Sequence, residues 1–400
     1  MCGIVGAVAE RNVVPILMEG LRRLEYRGYD SAGLAIRTDE GISRIRRVGK
    51  VQELQNALDE TPVRGGTGIS HTRWATHGVP NETNAHPHLS SNSIAIVHNG
   101  IIENYEELRE DLKSKGYEFT SDTDTETVAH RIHFNLQNAD DFVGAVRTTV
   151  AELEGAYAIA VINADQPEQV VIARQGAPAV VGLGIDENFV ASDVAALLPV
   201  TRNFQFLEEG DVALVERKQV TIWDYRGDVV ERTVRESALD SDAAEPGEFR
   251  HYMLKEIYEQ PAAVARTLDG RIADGRVLDA SFGPLANDAL DKTRNVHIVA
   301  CGTSYHAGLV ARYWIESLCR LPCTVEIASE YRYRNPVVPE DTLFVTISQS
   351  GETADTLAAL RAAREAVYIS TLTICNVPES SMVGQSYLTL IKHAGPVMGV

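Results

Sequence analysis

The sequence predicts an α+β sandwich of stacked sheets over its first part and an α/β parallel sheet over its second. Short apolar or alternating strands stand at both ends of the first part and enclose a run of helices, the order expected of layered sheets and helices. An acidic, small-residue stretch punctuated by Pro246-Gly247 interrupts the pattern at 239–250 and reads as a linker. Beyond it strands and helices alternate, the rhythm of parallel strands joined by crossover helices. Residues 1–238 and 251–400 are therefore expected to be separate domains.

The chain opens with a strand at 2–8, an amphipathic helix at 13–24 and a glycine-rich turn at 26–33. Strands follow at 34–37, 42–48, 68–71 and 94–98. Helices occupy 105–115, closed by Gly116, then 125–136 and 142–153. Strands at 156–162, 170–173, 179–183, 189–192, 211–215 and 220–223 complete the first domain. After the linker a helix at 251–268 leads to strands at 296–300, 324–327, 343–347, 370–375 and 387–391, with helices at 304–318 and 354–366. On the first of these, Ala307, Val310, Ala311, Trp314 and Leu318 share one face, read as core packing.

Four hundred residues exceed what a single core supports, and 44% hydrophobic residues suffice for well-formed cores. The formal charge of −19 excludes the clustered basic surface that binds phosphate backbones, so no nucleic-acid partner is expected. No apolar run reaches the ~20 residues that span a bilayer, and the start lacks the blocks of a signal peptide, so a cytoplasmic protein without a membrane partner is expected. Lysine is confined to positions 50, 113, 115, 218, 255, 292 and 392; an acidic, lysine-poor surface suits concentrated salt, which solubility measured against salt tests. Cys2, Cys301, Cys319, Cys323 and Cys375 are odd in number and scattered, which argues against a disulfide framework and for a reducing compartment. His71, His77, His86, His88 and His98 fall in loops and strand ends without ligand spacing, and are read as loop structure; no metal site is expected.

Met1-Cys2 places a thiol where removal of one methionine unites it with a free α-amine in one residue. A thiolate is a good nucleophile, and an α-amine with a pKa of about 7.7–8.0 is a base suited to neutral pH. Three polar blocks accompany it: 71–78 (HTRWATHG), 98–100 (HNG) and 122–126 (DTDTE). Asn99 and Gly100 offer a side-chain amide beside an unhindered backbone N–H, as an oxyanion requires. Arg73 and Asp124 supply a cation and an anion for an amino-acid substrate. Taken singly, each has a plainer reading: Cys2 a buried strand residue, Arg73 a surface ion pair, Asn99-Gly100 a tight turn, Asp124 a helix cap, Trp74 core.

The whole set, with Cys2-Gly3-Ile4-Val5-Gly6, residues 27–33 (RGYDSAG), 84–88 (NAHPH) and 98–104 (HNGIIEN), resembles the amino-terminal-nucleophile glutamine amidotransferase domain over residues 2 to about 234. The resemblance implies a four-layer sandwich in which Cys2 attacks the glutamine side-chain amide with its own amine as base. Asn99 and Gly100 would form the oxyanion hole. Arg73 would hold the glutamine carboxylate and Asp124 its ammonium. Thr76 and His77 would belong to a loop covering glutamine, Trp74 would gate ammonia, and Arg27 and Tyr29 would line the pocket.

In the second domain, Cys301-Gly302-Thr303-Ser304 and Ser348-Gln349-Ser350-Gly351-Glu352-Thr353 each follow a strand and open a helix, where N–H groups, hydroxyls and the helix dipole suit a phosphate monoester. Simple helix capping is the plainer reading of either loop. The Walker lysine and a Gly-x-Gly-x-x-Gly element are both missing, which favours a sugar phosphate over a nucleotide. Both loops resemble those of the sugar isomerase domain. That resemblance implies that Thr303, Ser304, Ser348, Gln349, Ser350 and Thr353 contact fructose 6-phosphate, with Cys301 and Gly302 lining the pocket.

The two domains in this order resemble the isomerising, glutamine-dependent aminotransferases of fructose 6-phosphate. The resemblance implies ammonia channelled from glutamine to fructose 6-phosphate, glucosamine 6-phosphate as product, no metal or organic cofactor, and a homodimer through the isomerase domain. It also implies a second isomerase subdomain beyond Val400, and Val397 stands where relatives carry an acid. A chain ending at Val400 would keep glutaminase activity and sugar-phosphate binding only. Purine-pathway, asparagine and glutamate synthase amidotransferases share the Cys-Gly-Ile start, but the paired Ser/Thr loops without a phosphoribosyl or ATP signature speak against them. A non-catalytic sugar-phosphate sensor is opposed by the intact Cys2, Arg73, Asn99 and Asp124 set.

Overall fold

The computed structural model describes residues 2–25, 28–74, 78–237, 249–378, 380–395 and 397. The chain divides into two compact units, Met1–Ala244 and Glu245–Val400. The linker reading at 239–250 lies almost wholly outside the described residues.

The first unit begins with β1 (Gly3–Val8), α1 (Val14–Leu24), β2 (Ser31–Thr38), β3 (Gly41–Val48), α2 (Val51–Glu60) and β4 (Thr67–Arg73). Next come β5 (His88–Ser90), β6 (Ile94–Ile102), α3 (Tyr105–Ser114), α4 (Asp124–Leu136) and α5 (Phe142–Val150). It closes with β7 (Gly155–Asn163), β8 (Gln169–Gln175), β9 (Val180–Leu183), β10 (Asn188–Ala191), β11 (Asn203–Phe206), β12 (Val212–Glu216), β13 (Val220–Trp223), β14 (Val229–Val230) and β15 (Val234–Glu236). These strands form an eight-stranded sheet, β15-β11-β9-β10-β1-β4-β2-β3, and a seven-stranded sheet, β14-β13-β12-β8-β7-β6-β5, with every pairing between strands antiparallel.

Strand alternation sorts side chains into three cores and so makes four layers. Val5, Ala7, Leu34 and Ile36 face α1 and α2. Ile4, Val8, Ile69, Ala95, Val97, Ala158 and Ala160 fill the space between the sheets. Ile94, Ile96, Ile159 and Val161 face Val128, Ile132 and Val146 of α4 and α5. Small alanines recur in the middle layer, and the larger Ile94, Ile96 and Ile159 lie beneath helices.

Three sequence expectations change here. Ser31, Ala32 and Gly33 belong to β2, paired with both β3 and β4, and not to a turn. A Cβ on Gly33 would lie 2.2 Å from the His86 carbonyl, so this glycine serves a close backbone approach. The helix α2 was unread, although Val51, Leu54, Ala57 and Leu58 form its buried stripe. Asn99 and Gly100 lie inside β6, opposite Ala158 and Tyr157, and not in a turn or at a strand end.

The second unit holds α6 (Tyr252–Leu268), a two-stranded ribbon of β16 (Ile272–Ala273) and β17 (Arg276–Val277), α7 (Ala286–Lys292), β18 (Asn295–Ala300) and α8 (Gly302–Trp314). It continues with β19 (Cys323–Ile327), α9 (Ala328–Tyr331), β20 (Thr342–Ile347), α10 (Ala354–Glu365), β21 (Ser370–Cys375), α11 (Ser381–Gln385) and β22 (Leu388–Ile391). Five strands form a parallel sheet in the order β19-β18-β20-β21-β22. Residues from α7 and α8 pack on one face, and residues from α9, α10 and α11 on the other.

The reading of α8 is corrected. Of the residues read as the packing face only Ala311 packs on the core; Ala307 is exposed, Val310, Trp314 and Leu318 are 50%, 62% and 78% exposed, and Gly308 and Ile315 join Ala311 inward. Gly308 is closely packed, since a Cβ there would sit 3.1 Å from the Ile298 and Val325 side chains. The helix therefore approaches the sheet on its smallest residue, and residues three and seven positions on follow it inward.

Phe189 of β10 is fully buried between its sheet and the α1 layer. Phe189→Ala is expected to destabilise the first unit by about 3–5 kcal/mol, measured by chemical denaturation.

Candidate active site

Sheet register brings the first set of residues together. Gly3 pairs with Thr72 in the β1–β4 ladder, which carries Cys2 to the end of β4 where Arg73 and Trp74 follow. The Trp74 N–H donates to Cys2 Sγ at 3.2 Å. Cys2 is partly exposed, and enclosure of its sulfur raises the thiol pKa above its ordinary value against the opposing pull of the Trp74 amide and Arg73. From β6, Asn99 Nδ2 donates to the Cys2 carbonyl at 3.3 Å. Gly100 is exposed beside it with φ +127°, and a Cβ there would lie 2.0 Å from the Ala156 carbonyl, so no other residue fits.

Arg73 is buried, donates from Nη2 to the Gly78 carbonyl at 3.4 Å, and lies 3.9 Å from Asp30 Oδ1. Asp30 closes the same corner through its N–H to the Arg73 carbonyl at 2.7 Å. Arg73 is thus no surface ion-pair residue. Trp74 is 55% exposed and not core, its ring lying over Gly28. Asp124 is the first residue of α4; the cap itself is Thr123, whose side chain accepts the Glu126 N–H. Asp124 is buried and Oδ2 accepts the Ile102 N–H at 3.0 Å. Arg27, Thr76 and His77 lie outside the described residues.

Three of the histidines lie on strands, whereas His86 sits in a loop as read and His77 lies outside the described residues. His71 on β4, His88 on β5, His98 on β6 and His86 before Pro87 are buried together. His71 Nε2 meets Asn99 Oδ1 at 3.0 Å, His71 and His86 meet through their Nδ1 atoms at 3.0 Å, and His86 Nε2 meets Thr125 Oγ1 at 2.8 Å. Burial pulls His71 down to about 3 and holds His86 and His88 well below their ordinary value. The sequence signal, four histidines on or beside neighbouring strands, was visible, but which strands neighbour one another was not.

In the second unit, Cys301 is the residue before α8, Gly302 has φ +54°, and Thr303 is exposed with Ser304 half-buried. Ser348 is buried and its Oγ accepts the Gly351 N–H at 3.0 Å while meeting Thr353 Oγ1 at 3.4 Å. The Ser350 Oγ accepts the Glu352 N–H at 3.2 Å. The Gln349 carbonyl accepts the Asn376 N–H at 3.3 Å, and the Thr353 side chain leaves the first turn of α10 uncapped. Both loops leave the carboxyl ends of β18 and β20, which are adjacent and in register. In the order β19-β18-β20-β21-β22 the connection reverses direction between these two strands, the place where open α/β sheets bind ligands.

Comparison with known proteins follows this division. Residues 71–199 match the family model of the glutamine amidotransferase domain, and residues 289–399 that of the SIS domain. The whole chain is 59% identical to a glutamine–fructose-6-phosphate aminotransferase (isomerizing) of Pseudomonas putida, 60% to that of Shewanella oneidensis and 55% to that of Escherichia coli K12. The chain belongs to this family. It spans 66% of the length of these relatives. The glutamine phosphoribosylpyrophosphate amidotransferase of B. subtilis is similar in fold, with TM-score 0.50 and 18% identity over 94% of this chain and 81% of that one. An allosteric regulatory enzyme of purine biosynthesis is similar to the same degree, with TM-score 0.50 and 20% identity over 93% and 80%.

Neutral burial of His71, His86 and His88 in the amidotransferase unit makes its stability depend on pH. The unfolded chain takes up a proton on each below about pH 6.5, whereas folded His71 resists protonation down to about 3. Stability is therefore full above about 6.5 and falls as pH drops toward 3, by up to about 1.4 kcal/mol per pH unit for each histidine. Glu126, held below its ordinary value by hydrogen bonds from Thr120 and Ser121 against the cost of burial, adds to the loss in the acid range. Denaturation midpoints at pH 7.5 and 5.0 check this, with a clear decrease expected and equal midpoints contradicting it.

Proposed function

We propose that the chain takes ammonia from glutamine at Cys2 and serves the amination and isomerisation of fructose 6-phosphate to glucosamine 6-phosphate. The supporting observation is the meeting of Cys2, the Trp74 amide and Asn99 at the paired start of β1. With Met1 removed, the α-amine of Cys2 takes the thiol proton. The thiolate then forms a bond to the glutamine side-chain carbon. The oxyanion accepts hydrogen bonds from Asn99 Nδ2 and the Gly100 N–H. The protonated amine returns its proton to the leaving nitrogen, ammonia departs, and water cleaves the thioester to give glutamate. Arg73 holds the substrate carboxylate and Asp124 its ammonium, Thr76 and His77 belong to the loop that covers glutamine, and Trp74 gates ammonia.

The raised thiol pKa supports an adjacent base, because an enclosed thiol does not ionise by itself near neutrality. In the SIS unit, Thr303, Ser304, Ser348, Gln349, Ser350 and Thr353 contact the sugar phosphate, with Cys301 and Gly302 lining its pocket. The reading includes ammonia passing from the first site to the second, a homodimer through the SIS unit and a cytoplasmic location.

Cys2→Ala is expected to abolish glutamate release from glutamine, measured with the full chain; undiminished release overturns the nucleophile. Fructose 6-phosphate is expected to raise the thermal midpoint of the SIS unit, with about 2.7 kcal/mol gained at a hundredfold excess over Kd. No shift at saturating ligand contradicts the two-loop site.

A further inference from the structure

The buried histidines have a direction. Asn99 turns Nδ2 toward the Cys2 carbonyl, so its Oδ1 faces His71 and can only accept. His71 Nε2 must therefore carry a proton. A neutral imidazole has one, which leaves His71 Nδ1 bare and requires His86 Nδ1, 3.0 Å away, to donate. His86 Nε2 is then bare and takes the proton of the Thr125 hydroxyl at 2.8 Å, a nearer acceptor than Asp124 Oδ1 at 3.4 Å. The Thr125 oxygen accepts in turn from His98 Nδ1 at 2.9 Å. Every proton in the series points toward Asn99. Burial of His71 and His86, whose side chains are almost completely enclosed, keeps both rings neutral and so preserves that order.

We propose that His71, oriented by His86 and Thr125, is a positioning residue that locks the Asn99 amide with its NH2 group toward the Cys2 reaction centre. This rests on the oxyanion role given to Asn99 above. The alternative amide orientation would set Oδ1, a negative dipole end, toward the developing oxyanion, and His71 Nε2–H would face an NH2 group. The series ends at Thr125, next to Asp124 in the first turn of α4. The ammonium-binding and oxyanion ends of the site are thereby joined through three hydrogen bonds, with His98 donating to Thr125 beside them.

The test compares His71→Leu, His71→Gln and Thr125→Val, each alone and combined with Asn99→Ala, in the full chain. Glutamate release is measured alongside alkylation of Cys2 by iodoacetamide, a substitution that forms a C–S bond without an oxyanion. His71→Leu is expected to lower kcat about a hundredfold, the order seen for loss of one oxyanion donor. His71→Gln, whose amide can donate to Asn99 Oδ1, is expected to stay within about tenfold of the parent chain. Thr125→Val, which preserves shape, is expected to lower kcat with the alkylation rate kept. In the Asn99→Ala background none of the three should cost more, because they act through a group already removed. Equal losses in alkylation and hydrolysis, or losses that add to that of Asn99→Ala, overturn the proposal and indicate a general structural role. If Asn99→Ala itself leaves kcat unchanged, the oxyanion reading falls and the positioning role falls with it. If Asn99→Ala is slow while His71→Leu and Thr125→Val keep full kcat, only the positioning role falls.

Discussion

β1 is hydrogen-bonded along both edges, to β4 and to β10, and the rest of the first site depends on that clamp. Chain termini ordinarily fray, which would be fatal to chemistry at residue 2. Here all six residues of β1 are buried. A Cβ on Gly3 would lie 2.7 Å from Leu24 Cδ1 of the helical layer, and one on Gly6 2.5 Å from Val190 Cγ2 of the paired strand β10, so both neighbours close directly on β1. The Ile4 N–H adds a bond to Ser192 Oγ at 3.0 Å. A slip of one residue would turn every side chain of β1 to the opposite layer and move Cys2 away from Trp74. The register is therefore set by two separate cores at once, and Cys2 inherits their rigidity.

Much of this was legible. The sandwich of stacked sheets followed from strands flanking a helical middle and its four layers from the family resemblance, and α1, α3, α4 and α5 lay within a few residues of where apolar periodicity put them. Asp124 was read near a helix start because 123–126 runs Thr-Asp-Thr-Glu, although the cap is Thr123. What failed depended on partners distant in sequence. Asn99-Gly100 has turn chemistry, but pairing with β7 keeps it extended, and the positive φ of Gly100 is a strand feature here. His71, His86 and His98 are meaningless as a spacing and become a relay only when β4 and β6 face each other across the site. On α8 the bulky apolar stripe outweighed the small one in the reading, whereas close approach to the sheet favours Gly308.

The second unit obeys a different logic. In the phosphate-binding role proposed for it, the reversal of strand order would supply the crevice, and hydroxyls with helix amides would line it. Gly351 shows how tightly that lining is built. It has φ +69°, and its Cβ would lie 2.0 Å from Ser380 Oγ and 2.8 Å from Cys375 Sγ. The Gly351 carbonyl accepts from Met382 and the Glu352 carboxylate from Ser381, which ties the loop to the start of α11. The loop is thus held by contacts made after it in the chain.

Chemistry at Cys2 requires a base: among the described residues the adjacent histidine series, as proposed above, points each proton toward Asn99, and Arg73 and the Asn99 amide nitrogen are donors. The α-amine of Cys2 itself is the group the account assigns, and it exists only once Met1 is gone. The most direct measurement is the intact mass and amino-terminal sequence of chain that hydrolyses glutamine. The account predicts that all active protein begins at Cys2 and that a variant forced to keep Met1 is inactive with its thiol still present. Full glutaminase activity in protein that retains Met1 would contradict it.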